Sequence, residues 1–422
     1  MSVCVTRALA LRRVEKRPRP TGIYANPQFV NNPDPLFGKH KWLGGSYTAD
    51  KGSIIGIPSH AKRVIKIHPA TGKISTFGGP FVGQFKWLRG VLAKDNCIYG
   101  IPAHATSVLK INPATEEVEE LGVLPEGQWK WHGASLANEC IYAVPCNAQS
   151  VLKIAPATGE VSQLDIPSHA NGGQKWYGTL VGRDGCIYGI PYKAHGVVKV
   201  NPFNDKVSIL GDFGDSDFKW HGGAVGPDGC VYGFPAHAAT VLKISPHIDD
   251  ARVGLEELHL DPLEDPQVMQ GKYKWLGGGV DREGNIYGMP SDAQTILKIE
   301  TSTGRVSTFG SVSDDKNKWQ GAVLGPDGCL YAMPANACTV LKINPYTMEI
   351  KEIGNLPKQK DKFQGGFVGA DGCVYAIPEM SQFIMRLDPT TEEITLIDSS
   401  AITTPETIAA GVLKQPLSGH RI

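Results

Sequence analysis

Imidazoles, a phenol and amines gather unevenly along this chain. His132, Tyr177, Lys193, His195, His221 and His237 fall within one quarter of its 422 residues. A histidine near neutral pH can take or give a proton, and beside Lys and Tyr it can clamp an anion or help ligate a metal. The sharp reading makes His132, His221 and His237 acid or base groups, with Tyr177, Lys193 and His195 as ligand contacts. The bland reading makes the whole set a polar rim shaped by drift. Which holds depends on the elements that carry them.

Those elements are repeats. Lys-Trp recurs as Lys41-Trp42, Lys86-Trp87, Lys130-Trp131, Lys175-Trp176, Lys219-Trp220, Lys274-Trp275 and Lys318-Trp319, with Lys362-Phe363 as the altered last copy. Successive copies lie 44 or 45 residues apart, except for one step of 55. A period of roughly 40–50 residues marks a repeat architecture. In unit 5, Trp220 to Val225 reads as a strand, and Asp228-Gly229 is a strong hairpin signal. A second strand from Cys230 to Phe234 is closed by Pro235, and a third spans Val241 to Ile244. Regular copies add a fourth after a Pro-x-Thr-Gly turn, as in Glu160 to Leu164. Four antiparallel strands repeated eight times predict an all-β, eight-bladed β-propeller over residues 41–398, with a basic N-terminal tail (1–40) and a C-terminal tail (399–422). The extra residues around 249–270 predict a loop or outer-strand extension on blade 5.

Strand order sorts the loops. Asp-Gly hairpins and Pro-x-Thr-Gly turns share one face, while the loop before Lys-Trp and the Pro-x-His-Ala loop share the other. That second face, around the axial channel, is the default ligand surface. It carries the first Lys of each unit, the residue after each Trp, and the third loop residue. A residue present in every blade serves the blade, so the Lys series and the Trp packed between blades read as structural. The rival is an anion-binding ring, with Lys130, Lys175 and Lys219 as its contacts in the histidine-rich sector. The second series, including Lys66, Lys110, Lys153, Lys199, Lys243, Lys298 and Lys342, sits in mid-strand and reads as structural. Departures from consensus carry more information. The third loop residue is His60, His104 or His237, but Asn147, Lys193, Asp292, Asn336 or Met380 in other units. The residue after Trp is His132, Tyr177 or His221 in units 3 to 5, and Leu or Gln elsewhere. His60, His104, His237 and Asp292 suit a metal chemically, but they are spread over four blades, and no metal site is expected.

The run G-x-x-G-x-D-G-x-[IV]-Y, followed by [VI]-L-K-I-x-P-x-T-G, resembles the blade grammar of the streptogramin-lyase, gluconolactonase and NHL propellers. The resemblance covers residues 41–398. It implies a propeller and a superfamily that mixes lyases, lactonases and non-catalytic binding modules. The signatures of WD-repeat and kelch blades are absent. Eight copies depart from the six or seven blades usual in that superfamily.

Composition narrows the remaining classes. The 42 basic and 42 acidic residues give no overall charge to favour nucleic acid, and no apolar run is long enough to span a bilayer. Cys97, Cys140, Cys186, Cys230, Cys329 and Cys373 share one repeat position, too far apart for disulfides between blades, which reads as reduced thiols in an intracellular protein. The first twenty residues hold six Arg or Lys against Glu15, which fits a mitochondrial presequence or a basic docking tail, so a cytoplasmic or mitochondrial location is expected. No Gly-x-Ser-x-Gly, P-loop or HExxH motif occurs. These readings favour a non-catalytic disc that binds protein partners through loop faces and tails. A lyase or lactone hydrolase using the three histidines, and small-anion binding by the Lys ring, are the alternatives; no cofactor is indicated.

Overall fold

The computed structural model describes residues 12–13, 34–167, 172–248, 252–409 and 419–421. Unit 5 folds as its pattern dictates. Trp220–Val225 turns at Asp228-Gly229 into Val231–Pro235, then Val241–Pro246 and Val253–Leu258 follow, all antiparallel in sequence order. Eight such sheets surround one axis, so the chain is an eight-bladed propeller. The second strand of a blade is covered on both faces, which is why Val231–Pro235 is buried at every position.

An apolar cluster fills each seam between neighbouring blades. One joins Tyr99 and Val108 of blade 2 to Trp131, Ile141 and Leu152 of blade 3. Another joins Ile54 and Ile65 of blade 1 to Tyr375 and Ile384 of blade 8, which closes the ring. The Trp of each Lys-Trp pair is buried in these seams, and its indole N–H donates to a carbonyl in its own blade, as from Trp220 to Thr240 O at 2.7 Å. On the opposite face, the second Lys series meets hairpin carboxylates and Tyr hydroxyls. Lys199 Nζ and the Tyr188 hydroxyl both reach Asp184, at 2.9 and 2.8 Å. The eight described cysteines are all free; Cys4 lies outside the described residues.

The first strand of each blade is innermost, and its start is bulged. Trp220 pairs with Pro235, but pairing resumes only at Gly223 with Gly233, leaving His221 and Gly222 outside the ladder. Bulges re-aim side chains, and here they turn the residue after Trp toward the channel. The second bulge residue is Gly in seven blades, at positive φ. Inner strands also approach closely there: a Cβ on Gly178 would lie 3.0 Å from Gly222 Cα. Blade 3 is looser, with only Ser135–Ala137 as its inner strand beyond a lone Trp131–Pro145 bridge.

Chain ends add fifth strands. Arg12–Arg13 pairs with Ser162 and Gln163 on blade 3. Ile402–Thr403 runs parallel to Ile74 and Ser75 on blade 1, and Gly419–Arg421 returns to pair with blade 8. The C-terminal segment therefore straddles the seam where the ring closes. Most of the basic N-terminal stretch lies outside the described residues. The blade-5 extension reaches its neighbour: Leu260 bridges Val306 of blade 6, and the short helical turn Pro266–Met269 buries Met269. Among the described residues no helix is long and apolar enough to cross a membrane.

Candidate functional site

Three rows of side chains build the face around the channel mouth. The first row comes from the residue before each Lys: His40, Phe85, Trp129, Gln174, Phe218, Tyr273, Asn317 and Asp361. All eight are non-glycine residues with φ between 45° and 60°. Each is held in this uncommon conformation by its own blade, where its carbonyl accepts the N–H of the third loop residue, as from His60 to His40 O at 2.9 Å. The adjoining Lys turns inward. Lys86 Nζ donates to the carbonyls of Ser59, Ala61 and Gly83, two of them in the preceding blade. Lys130 reaches Ala105 O and Gly127 O, Lys175 reaches Ala148 O and Gly172 O, and Lys219 reaches Gly214 O and Ser216 O. Lys86, Lys130 and Lys175 thus staple neighbouring blades, Lys219 pins the loop that enters its own, and all four are buried, so Lys130, Lys175 and Lys219 do not present themselves to a ligand. Burial lowers Lys86 to about 7 and Lys130 and Lys175 to about 8.

The second row is the third loop residue, and it is matched to the first row of the next blade. His60 meets Phe85 edge-on with ring centres 4.3 Å apart, His104 meets Trp129 at 5.2 Å, and His237 meets Tyr273 at 4.5 Å. Lys193 lies over the Phe218 ring at 4.4 Å. Where the next residue is polar, an amide or carboxylate replaces the ring. Asn147, Asp292 and Asn336 accept the backbone N–H of Gln174, Asn317 and Asp361. At seven of the eight seams the residue at this position is thus matched to its neighbour in the next blade. His237 belongs to this matched set, its Nε2 buried without a partner, and it does not join His132 and His221. His195 is further out and exposed, 2.7 Å from Asp215.

The third row is the bulge residue after Trp, and it does converge. His132 stacks on Tyr177 at 4.3 Å, and Tyr177 meets His221 at 5.0 Å. Desolvation, then the Arg89 charge, lower His132 to about 3 and His221 to about 4, so both are neutral at pH 7. Burial and the Cys146 thiol raise the Tyr177 phenol, so it stays protonated. Rings continue on both sides. Each ring from His40 through His60, Phe85, His104, Trp129, His132, Tyr177, Tyr192, Phe218 and His237 to Tyr273 touches the next, an arc across blades 1 to 6.

Blades 7, 8 and 1 close the circle with polar groups. Asn317 donates to Asp361 at 2.8 Å, and His40 Nδ1 lies 2.7 Å from Glu379, whose carboxyl burial pushes upward. Between the two sectors lies a cavity of about 310 Å³, lined by Phe85, Trp129 and His132 on one side and Gln320, Asp361, Gln364 and Glu379 on the other. Arg89 also lines it, at the bulge position that is Gly in every other blade. Among the described residues no group of three or more His, Cys, Asp or Glu is arranged to hold a metal ion.

Sequence reasoning missed the row before Lys, and with it Arg89 and Glu379. The signal was present, since each departs from a column of the repeat: Arg89 is the single non-glycine in its column, and Glu379 the single carboxylate in its own.

Comparison with known proteins agrees with this architecture. A family model described as a repeat of unknown function (DUF6923) matches residues 280–412. No curated protein matches the chain. Among solved structures, a catalytically inactive variant of virginiamycin B lyase from Staphylococcus aureus with quinupristin superposes with a TM-score of 0.52 at 13% identity, covering 69% of this chain and 91% of that one. A streptogramin B lyase gives 0.52 at 14% identity, covering 85% and 94%. A protein from Lactobacillus plantarum gives 0.50 at 11%, covering 74% and 96%. At such identities the likeness is one of fold.

Proposed function

We propose that this propeller binds a small organic molecule with a flat face in the mouth of its axial channel. The observation that carries this reading is the continuous arc of rings facing a polar sector across one cavity. Flat apolar ligands stack on such rings, and convergent polar groups fix their orientation. The acid–base use of His132 and His221 is the second reading. Its support is their convergence on Tyr177, together with lyase names among the fold neighbours. Against it, a base works best with a pKa near the operating pH, and imidazoles held near 3 and 4 are weak ones. The protein-scaffold reading has less support, because the described strands of both chain ends are already paired with blades.

The test uses indole as a neutral flat probe and saturation-transfer NMR. Signal is expected from the wild type, with a several-fold loss in Trp129→Ser and Tyr177→Ala. Equal transfer in wild type and both variants would refute the assignment.

A further inference from the structure

Seven blades place Gly at the second bulge position, and blade 2 places Arg89 there at φ +54. An L residue in that region is strained relative to Gly, and the other seven blades close without a side chain there. Its stem runs along the inner wall: a Cβ on Gly44 of blade 1 would lie 3.2 Å from Arg89 Cγ, and one on Gly133 of blade 3 would lie 3.8 Å from Arg89 Cδ. The residue is exposed to the channel, while the surrounding walls partly desolvate its charge and lower its pKa. The guanidinium has no hydrogen-bond acceptor or ion-pair partner among the described residues. Asp361 and Glu379 line the same cavity but form no close ion pair with it; Glu379 is instead held by His40, with Lys41 nearby. A planar fork of N–H donors is therefore presented, unpaired, at the floor of the aromatic mouth.

We infer that Arg89 is the anchor for the carboxylate of a flat monoanionic ligand, whose ring lies against the arc that includes Trp129, His132 and Tyr177. This rests on the reading of the mouth as a small-molecule site and names the ligand class. A guanidinium matches a carboxylate bidentately. The ligand is limited to a single negative charge because His132 and His221 are neutral and the opposite wall carries the carboxyl groups of Asp361 and Glu379, which leaves Arg89 as the one permanent positive charge among the described residues lining the cavity. The cavity, about 310 Å³, lies at the small end of the ~300–1,000 Å³ range of small-molecule sites, which suits a ligand of one ring such as an arylacetate.

The experiment compares phenylacetate, phenylacetamide and acetate by NMR titration on wild type, Arg89→Gly and Arg89→Lys. Arg89→Gly restores the residue of the other seven blades, so its fold is expected to survive, and an unchanged or raised melting midpoint verifies this. Phenylacetate is expected to bind wild type at least tenfold more tightly than phenylacetamide, as loss of a charge-assisted bidentate pair implies. In Arg89→Gly that preference should vanish, and in Arg89→Lys it should shrink. Equal binding of acid and amide to wild type, or an unchanged preference in Arg89→Gly, overturns the anchor while leaving the mouth as a small-molecule site. Acetate binding as tightly as phenylacetate upholds the anchor and removes the stacking reading. No binding of any of the three overturns both.

Discussion

Ring closure gives the most direct test of how this fold holds its site. At seven seams the chain passes directly from one blade into the next. Between blade 8 and blade 1 it does not, and the segment after Ile397 supplies the link by laying Ile402–Thr403 against blade 1. Ile402 is 1% exposed and packs with Ile74, Ile397 and Ala401 in the closing cluster. Outside it, Arg63 of blade 1 pairs with Glu406 at 2.6 Å, an exposed contact worth under about 1 kcal/mol. Ile402→Ala removes the buried contact alone, and truncating a buried Ile costs about 2–5 kcal/mol. Unfolding entropy of about 2 cal/mol/K per residue makes ~3 kcal/mol equivalent to a fall of about 3–4 °C in the melting midpoint, if the ring unfolds as one unit. Hydrogen exchange locates the effect. Ile402→Ala should speed exchange in Lys73–Phe77 and Ile394–Ile397 more than elsewhere, whereas Ile299→Ala on blade 6 should not single out those strands. A midpoint within 1 °C of wild type, with unchanged exchange in both strands, would refute the clasp.

Two further outcomes follow from buried titratable groups. Lys86→Met leaves the carbonyls of Ser59, Ala61 and Gly83 without their shared donor, and should destabilise the protein by about 1–3 kcal/mol in urea unfolding; neutrality would mean the staple is dispensable. Acid should weaken the fold through the mouth histidines. Their folded pKa values of about 3 and 4 lie below the unfolded ~6.5, so the unfolded chain binds more protons in that window. Stability should be full above about pH 6.5 and fall toward pH 4, with each imidazole contributing on the order of 1 kcal/mol per pH unit. His132→Phe should flatten the fall, and an unchanged slope would show that this imidazole titrates normally.

Much of this architecture is legible in the residues themselves. The spacing of Lys-Trp, the Asp-Gly hairpins and the closing Pro residues determine strand order, blade number and which loops share a face. They do so because turns and alternation act locally, within a few residues. The structural roles of the Trp and of the second Lys series follow from the same repetition. What the linear order hides is which columns meet across seams. His237 shares its residue type with His132 and His221, but a loop position turns it onto Tyr273, while a bulge turns the other two toward the axis. Lys130, Lys175 and Lys219 lie on the predicted face, yet carbonyls of the preceding blade, or for Lys219 of the loop that enters its own blade, draw their ammonium groups inside. Arg89 is one substitution in a glycine column, and it gains meaning only where eight such columns converge on a channel. The repeat alone determined the ring; closure of that ring decided which side chains face the space at its centre, because that choice is made by contacts between residues about 45 apart in the chain.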